Sequence, residues 1–225
     1  MDPRARVIHH TTRRSVVAEN SVLRSTYMLL GMSLLWSAAM AIVSLIVNKP
    51  PTPLIDMIGM WGLLFLVQAN AHTSLGVLFT FLFTGFIGFT LGPLLGLVLY
   101  SVPQGSALIA LTLATTGIVF VAMSLYALTS EHSFSFLGGT LFSGIIAAIV
   151  LSLCGMFLGI PMYFLISSAL MVLISSGLIL FHTSEIVHGG EQNYVLATIS
   201  LYVALYNLFV SMLHLMIHFS GNQRD

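Results

Sequence analysis

The segment His182-Thr-Ser-Glu185-Ile-Val-His188 sets an imidazole, a carboxylate and a second imidazole at successive steps of three. On a helix that spacing keeps the three side chains near one face, and two imidazoles with a carboxylate form a donor set that can bind zinc. The pattern departs from the His-Glu-x-x-His motif, in which the histidines stand four apart and the glutamate adjoins the first. Steps of three drift around a helix, and Gly189-Gly190 is expected to end this one, leaving His188 to point elsewhere. A polar helix end is therefore favoured over a metal site, and no metal or cofactor is assigned. His214 and His218 form a second pair, four residues apart. A helix from Tyr194 to His214 climbs about 30 Å, so these histidines belong at the opposite end from His182 and the two groups cannot make one site. Serines are plentiful, but no charged residue stands where it could complete a Ser-His couple. Asp56 and Lys49 are expected to lie near each other in a structural role. Catalysis is not expected.

The elements that must position these groups follow from composition. The 225 residues are 57% hydrophobic, with a mean hydropathy of +1.01, 7 Lys+Arg and 7 Asp+Glu. Half of the charges (Asp2, Arg4, Arg6, Arg13, Arg14, Glu19 and Arg24) precede residue 25, and Arg224 and Asp225 close the chain. Between them lie only Lys49, Asp56, Glu131, Glu185 and Glu191. A soluble domain charges roughly a quarter of its positions, so this distribution excludes a soluble fold, a disordered chain and a nucleic-acid-binding surface. The chain reads as an integral membrane protein.

A bilayer core of about 30 Å calls for about 20 apolar residues per helix. Turn-forming breaks divide the chain into seven such spans: 27–47, 54–68, 75–99, 107–128, 136–158, 161–181 and 194–219. Continuous rather than alternating apolar runs specify helices, each satisfying its own backbone in lipid. The second span is the shortest and begins near Asp56. Connections are short, including 48–53, 129–135, 159–160 and 182–193, so the chain is read as a tail (1–24), one membrane domain (25–221) and a short C-terminus (222–225). Five of the seven basic residues precede the first span, which the positive-inside rule places in the cytoplasm, with the C-terminus outside. The tail lacks the apolar core of a secretory signal and is expected to persist. Lone Cys154 is read as ordinary packing.

In lipid, small and polar residues mark helix faces that pack together. The third span carries Gly85, Gly88, Gly92 and Gly96 with Pro93 beside them, and the fifth carries Gly139, Ser143 and Ala147. In the seventh, Asn193, Ala197, Ser200, Ala204, Asn207, Ser211, His214 and His218 recur at steps of three and four, so one face is small or polar from end to end. The sixth answers with Ser168, Ser175, His182 and Glu185. Spacing leaves open whether these stripes line water or interlock dry. The candidate polar or pH-responsive residues are His182, Glu185, His188, Asn207 and His214.

Several motifs carry a resemblance. Ser135-Phe-Leu-Gly-Gly139, Ile174-Ser-Ser-Gly177, His188-Gly-Gly-Glu191, Asn193-Tyr194, Ala197-Thr198, Ser200-Leu-Tyr-Val203 and Leu205-Tyr-Asn207 resemble the bacterial YccA-like branch of the Bax inhibitor-1 (TMBIM) superfamily. The likeness extends through Thr84-Gly-Phe86, Leu91-Gly-Pro93, the first span and the tail. It implies a bundle in which six helices surround a central C-terminal one, consistent with the polar stripe on the seventh span. It also implies a bacterial inner-membrane protein that modulates the FtsH protease and can be its substrate, with FtsH and its associated membrane proteins as partners. On that reading the tail, with Arg4, Arg6, Arg13 and Arg14, is a handle for the protease. Other members of the superfamily imply an alternative, a pH-sensitive calcium leak channel whose sensor is a pair of aspartates. The sensor positions here hold His182 and Ala204, and alanine cannot titrate, so an aspartate gate is not expected to work in this chain.

Overall fold

The computed structural model describes residues 3–221; for residues 3–20, Pro161 and Gly221 only the backbone is described. Among the described residues there are seven helices: α1 (Pro3–Val47), α2 (Pro53–Asn70), α3 (Leu75–Ser101), α4 (Gly105–Thr129), α5 (Leu137–Leu158), α6 (Pro161–Val187) and α7 (Tyr194–Gly221). Each contains a stretch long and apolar enough to cross a membrane. Local chemistry sets the boundaries. Pro53 and Pro161 stand at the first turns of α2 and α6, where a missing N–H costs nothing and the fixed φ suits a helix. Gly159 and Gly189 take left-handed φ values of 65° and 75° after α5 and α6, as glycine readily does at a helix C-terminus.

The sixth helix exceeds its expected length. It runs on to Val187, so His182 and Glu185 lie on the helix and the connection is shorter than the 182–193 loop read from polarity. Polar letters there conceal packing: Thr183, Ser184 and Ile186 are all buried.

The most extensive helix pair is α1 with α3, and the glycine ridge makes it. Gly85 faces the Trp36 indole, Gly88 the Ser37 backbone, Gly92 the Ser44 side chain and Gly96 the Leu45 side chain. Hydrogen would be the only substituent small enough at Gly88 and Gly92, and close backbone approach is what such ridges provide. Pro93 sits within α3 without ending it. On α5 the expected face is the wrong one. Gly139, Ser143 and Ala147 are exposed, whereas Gly138 meets Phe181, Gly144 meets Ile174, and buried Ala148 accepts a hydrogen bond from Ser167 at 2.8 Å. Both ridges have small residues, and only the neighbouring helix distinguishes them.

The C-terminal helix is the axis of the bundle. Along α7, Val195, Ala197, Ile199, Leu201, Tyr202, Ala204, Leu205, Leu208, Phe209 and Leu213 are buried, and the helix packs against α1, α2, α3, α4 and α6. Helix α5 is peripheral and, among the described residues, packs only on α6. Leu35, Ile46, Leu54, Phe65, Phe157 and Leu173 are among many large apolar side chains exposed on the outside, the expected covering where the solvent is lipid.

Candidate functional site

Two faces result: an N-terminal face, where α1 enters and the α2–α3, α4–α5 and α6–α7 connections turn, and a C-terminal face at the opposite end. Polar groups concentrate at both and at one point between them. On the N-terminal face, Asn193 precedes α7. Its Oδ1 accepts from the N–H groups of Val195 (2.9 Å) and Leu196 (3.3 Å), capping donors that the first turn leaves free. Its Nδ2 donates to the Ala71 carbonyl at 2.9 Å and lies 3.2 Å from His72 Nδ1. The same amide thus starts the central helix and ties it to the end of α2. Glu191 Oε1 accepts from the Asn193 N–H at 2.7 Å.

A second tie crosses from α6 to the α4–α5 connection. Ser184 Oγ accepts from the Phe134 N–H at 3.0 Å, and His188 Nδ1 lies 3.0 Å from the Ser184 carbonyl oxygen and 3.3 Å from its hydroxyl. Glu185 packs over Gly190. His182, Glu185 and His188 therefore do not converge: His188 turns back onto Ser184, Glu185 covers the glycine turn, and the His182 ring stands edge-on to Phe181 at 5.2 Å. Among the described residues no three His, Cys, Asp or Glu side chains gather as a metal would require.

Midway along the bundle, the Tyr202 hydroxyl lies 2.7 Å from Ser37 Oγ and donates to the Thr84 carbonyl at 3.2 Å, joining α7, α1 and α3 at one atom. Several buried hydroxyls elsewhere donate to the carbonyl four residues back, as Thr80, Thr84 and Ser168 do. The stripes of α6 and α7 are closely packed, with Ser175, Ala197 and Ala204 all buried. Asn207 is half-buried on α7. Ala204, which the resemblance sets at a sensor position, is fully enclosed.

On the C-terminal face Lys49 and Asp56 pair as their spacing suggested, Nζ to Oδ2 at 2.8 Å. Thr52 Oγ1 accepts from Lys49 (3.1 Å) and donates to Asp56 Oδ1 (3.2 Å), and the ammonium sits 6.0 Å from the centre of the Phe89 ring. The pair closes the proline-rich α1–α2 corner and presses it onto α3. With side-chain exposures of 11% and 19%, it falls between the surface and buried regimes of ion pairing. Asp56→Ala is expected to cost about 2 kcal/mol by leaving the ammonium uncompensated, whereas Lys49→Met with Asp56→Leu together restore most of it. Thermal unfolding in detergent of the single and double variants checks this.

His214 and His218 lie on this face, far from His182. The His214 ring stands edge-on to Phe164 at 5.2 Å. Both histidines line a cleft of about 650 Å³ with parts of α3, α5 and α6. The side chains of Arg4, Arg6, Arg13 and Arg14 lie outside the described residues, as does the C-terminus from residue 222. Nothing in the sequence marks Ser37, Ser184 or His72, and Thr84 stands out only within the Thr84-Gly-Phe86 motif. Tyr202 was visible only within the Ser200-Leu-Tyr-Val203 motif, although a tyrosine hydroxyl in mid-span must find a partner.

Fold and site together define an all-helical membrane protein in which a few polar side chains, among them Ser37, Ser184, Asn193 and Tyr202, tie one element to another. The chain belongs to the Bax inhibitor-1 family: it matches the family described as inhibitor of apoptosis-promoting Bax1 over residues 19–221. Among its relatives is the Escherichia coli K12 protein named modulator of FtsH protease YccA, 44% identical over 205 residues that cover 91% of this chain and 93% of the relative. An uncharacterized protein of Pseudomonas aeruginosa is 42% identical over 206 residues, 89% and 92% of the two chains. One from Helicobacter pylori is 30% identical over 226 residues, 94% and 96% of the two chains.

Proposed function

We propose that this chain is a multi-pass inner-membrane modulator of the FtsH protease, acting by protein contact rather than by catalysis. The observation that carries the reading is the near full-length correspondence to a protein named as such a modulator. Its physical basis is the resistance of the bundle to being pulled apart. The α1–α3 seam brings backbones too close for a side chain between them, and α7 is held by five other helices. An unfoldase that grips one end must disrupt these contacts together, so processing is slow and the protease stays occupied.

In this reading residues 1–24 form the cytoplasmic handle, 25–221 the resistant membrane domain and 222–225 a periplasmic end. Residues 3–24 are helical as the start of α1 and span about 33 Å; drawn out by an unfoldase, 24 residues reach about 80 Å, enough to enter a cytoplasmic ring while the bundle remains in the membrane. FtsH and its associated membrane proteins are the partners. Deleting residues 2–20 while keeping Arg24 is expected to lengthen the half-life of the chain severalfold in cells containing FtsH, measured by pulse-chase. Unchanged turnover would refute the handle. Affinity purification from native membranes tests the modulator reading separately, through co-elution of FtsH. The calcium alternative gains no support from His182 against Phe181 or from the enclosed methyl of Ala204.

A further inference from the structure

The cleft on the C-terminal face has a graded lining. Its walls are apolar, with Leu94 and Leu97 of α3, Leu153 and Met156 of α5, Phe164 of α6 and Ile217 of α7. Its polar members are Ser152, Ser168, His214 and His218. Helix α5 packs on neither α3 nor α7 among the described residues, yet all three contribute walls. The cleft is therefore the gap between the peripheral helix and the central bundle. Leu97, Leu153 and Met156 are 55%, 46% and 68% exposed, so this gap is open sideways to the surrounding lipid.

Depth orders the polar groups. The apolar stretches of α5, α6 and α7 reach the C-terminal face at Leu158, Met162 and Ser220. Ser152, Ser168 and His214 thus lie at one common level, about 9 Å below those ends, while His218 lies only about 3 Å below. The 27-residue spans of α3 and α7 run about 40 Å against a hydrocarbon core of about 30 Å. Their last 5 Å or so then stand among headgroups. His218 falls in the headgroup layer, and Ser152, Ser168 and His214 fall just inside the border with the acyl chains.

We infer that this cleft holds the headgroup end of one phospholipid, with His218 donating to the phosphate, His214 and Ser152 donating to the ester oxygens, and the acyl chains leaving between α3 and α5. The match is to an amphiphile whose polarity falls with depth as that of the cleft does. The Ser168 hydroxyl already donates to the Phe164 carbonyl at 2.9 Å, so it offers only its oxygen. Phe164, edge-on to His214, holds that imidazole in the cleft wall. A volume of about 650 Å³ lies within the range of ordinary ligand pockets. Because the gap opens to the bilayer, lipid is the molecule at hand to fill it.

Native mass spectrometry of the full chain, released from detergent with added dioleoyl phosphatidylethanolamine or dioleoylglycerol, tests the assignment. The wild-type chain is expected to keep one phosphatidylethanolamine at energies that strip loosely attached lipid, and to keep dioleoylglycerol at least tenfold less. Ser152→Phe, which fills the cleft, and His214→Leu with His218→Leu are each expected to reduce retention at least tenfold. Phe142→Leu, on the exposed side of α5, should leave it unchanged. If either cleft variant fails to fold by thermal unfolding, His218→Leu alone, at an exposed helix end, gives the same reading through loss of the preference for phosphate. Retention no greater than that of loosely attached lipid, retention unaffected by folded cleft variants, or equal retention of dioleoylglycerol would overturn the proposal.

Discussion

Replacing Gly88 by alanine is expected to destabilise the bundle by about 2–3 kcal/mol, the upper part of the range for inserting a group into a filled core. A methyl built there would lie 2.7 Å from the Ser37 carbonyl carbon and 2.7 Å from Ser37 Oγ. The obstacle is backbone, so it cannot rotate away, and α1 must move off α3. That movement also strains the only point where α1, α3 and α7 share a hydroxyl among the described hydrogen bonds, because Ser37 is the partner of Tyr202. Gly31→Ala serves as the control: it has nothing within 4 Å and should be neutral or slightly stabilising through helix propensity. Thermal unfolding in detergent compares the two. Equal midpoints would show that the seam is not close-packed.

Asn193→Leu is expected to cost about 2–3 kcal/mol. About 1 kcal/mol follows from losing the cap on Val195 and Leu196, and about 1–2 kcal/mol from leaving the Ala71 carbonyl without its donor. Asn193→Asp divides these contributions. A carboxylate keeps an acceptor for the cap but cannot donate to Ala71, so this variant should recover the first part and not the second. Hydrogen exchange provides the local readout, with faster exchange at the start of α7 in the leucine variant and protection there in the aspartate variant. If aspartate matched asparagine in stability, the tie to α2 would carry no weight.

These two sites show unequally how far a sequence can be read. In the sequence Asn193 stands in the polar stripe of the seventh span and in the Asn193-Tyr194 motif, whereas its cap on α7 and its bond to a carbonyl more than a hundred residues away come from the structure. The α3 glycines announced close packing without naming α1 as the partner. On α5, Gly139, Ser143 and Ala147 looked as good a ridge as Gly138, Gly144 and Ala148, and the structure chose the latter. The Lys49–Asp56 pair was legible because the two residues lie close in sequence around a proline-rich turn. The His182-Glu185-His188 spacing was legible too, and its failure to converge came from His188 finding Ser184 at the helix end.

By itself, the sequence determined that this chain is a seven-helix membrane protein, where each helix lies apart from the start of α1 and the end of α6, and which family it joins. Lipid imposes those features locally: every span must be apolar throughout and satisfy its own backbone. Tertiary structure alone decided which faces meet, that α7 is held by five helices while α5 stands aside, and that a graded cleft opens between them. In a bilayer the outside of a helix is as apolar as the inside, so hydrophobic periodicity does not distinguish the two. The choice falls to close contact of small residues and to hydrogen bonds between distant parts of the chain.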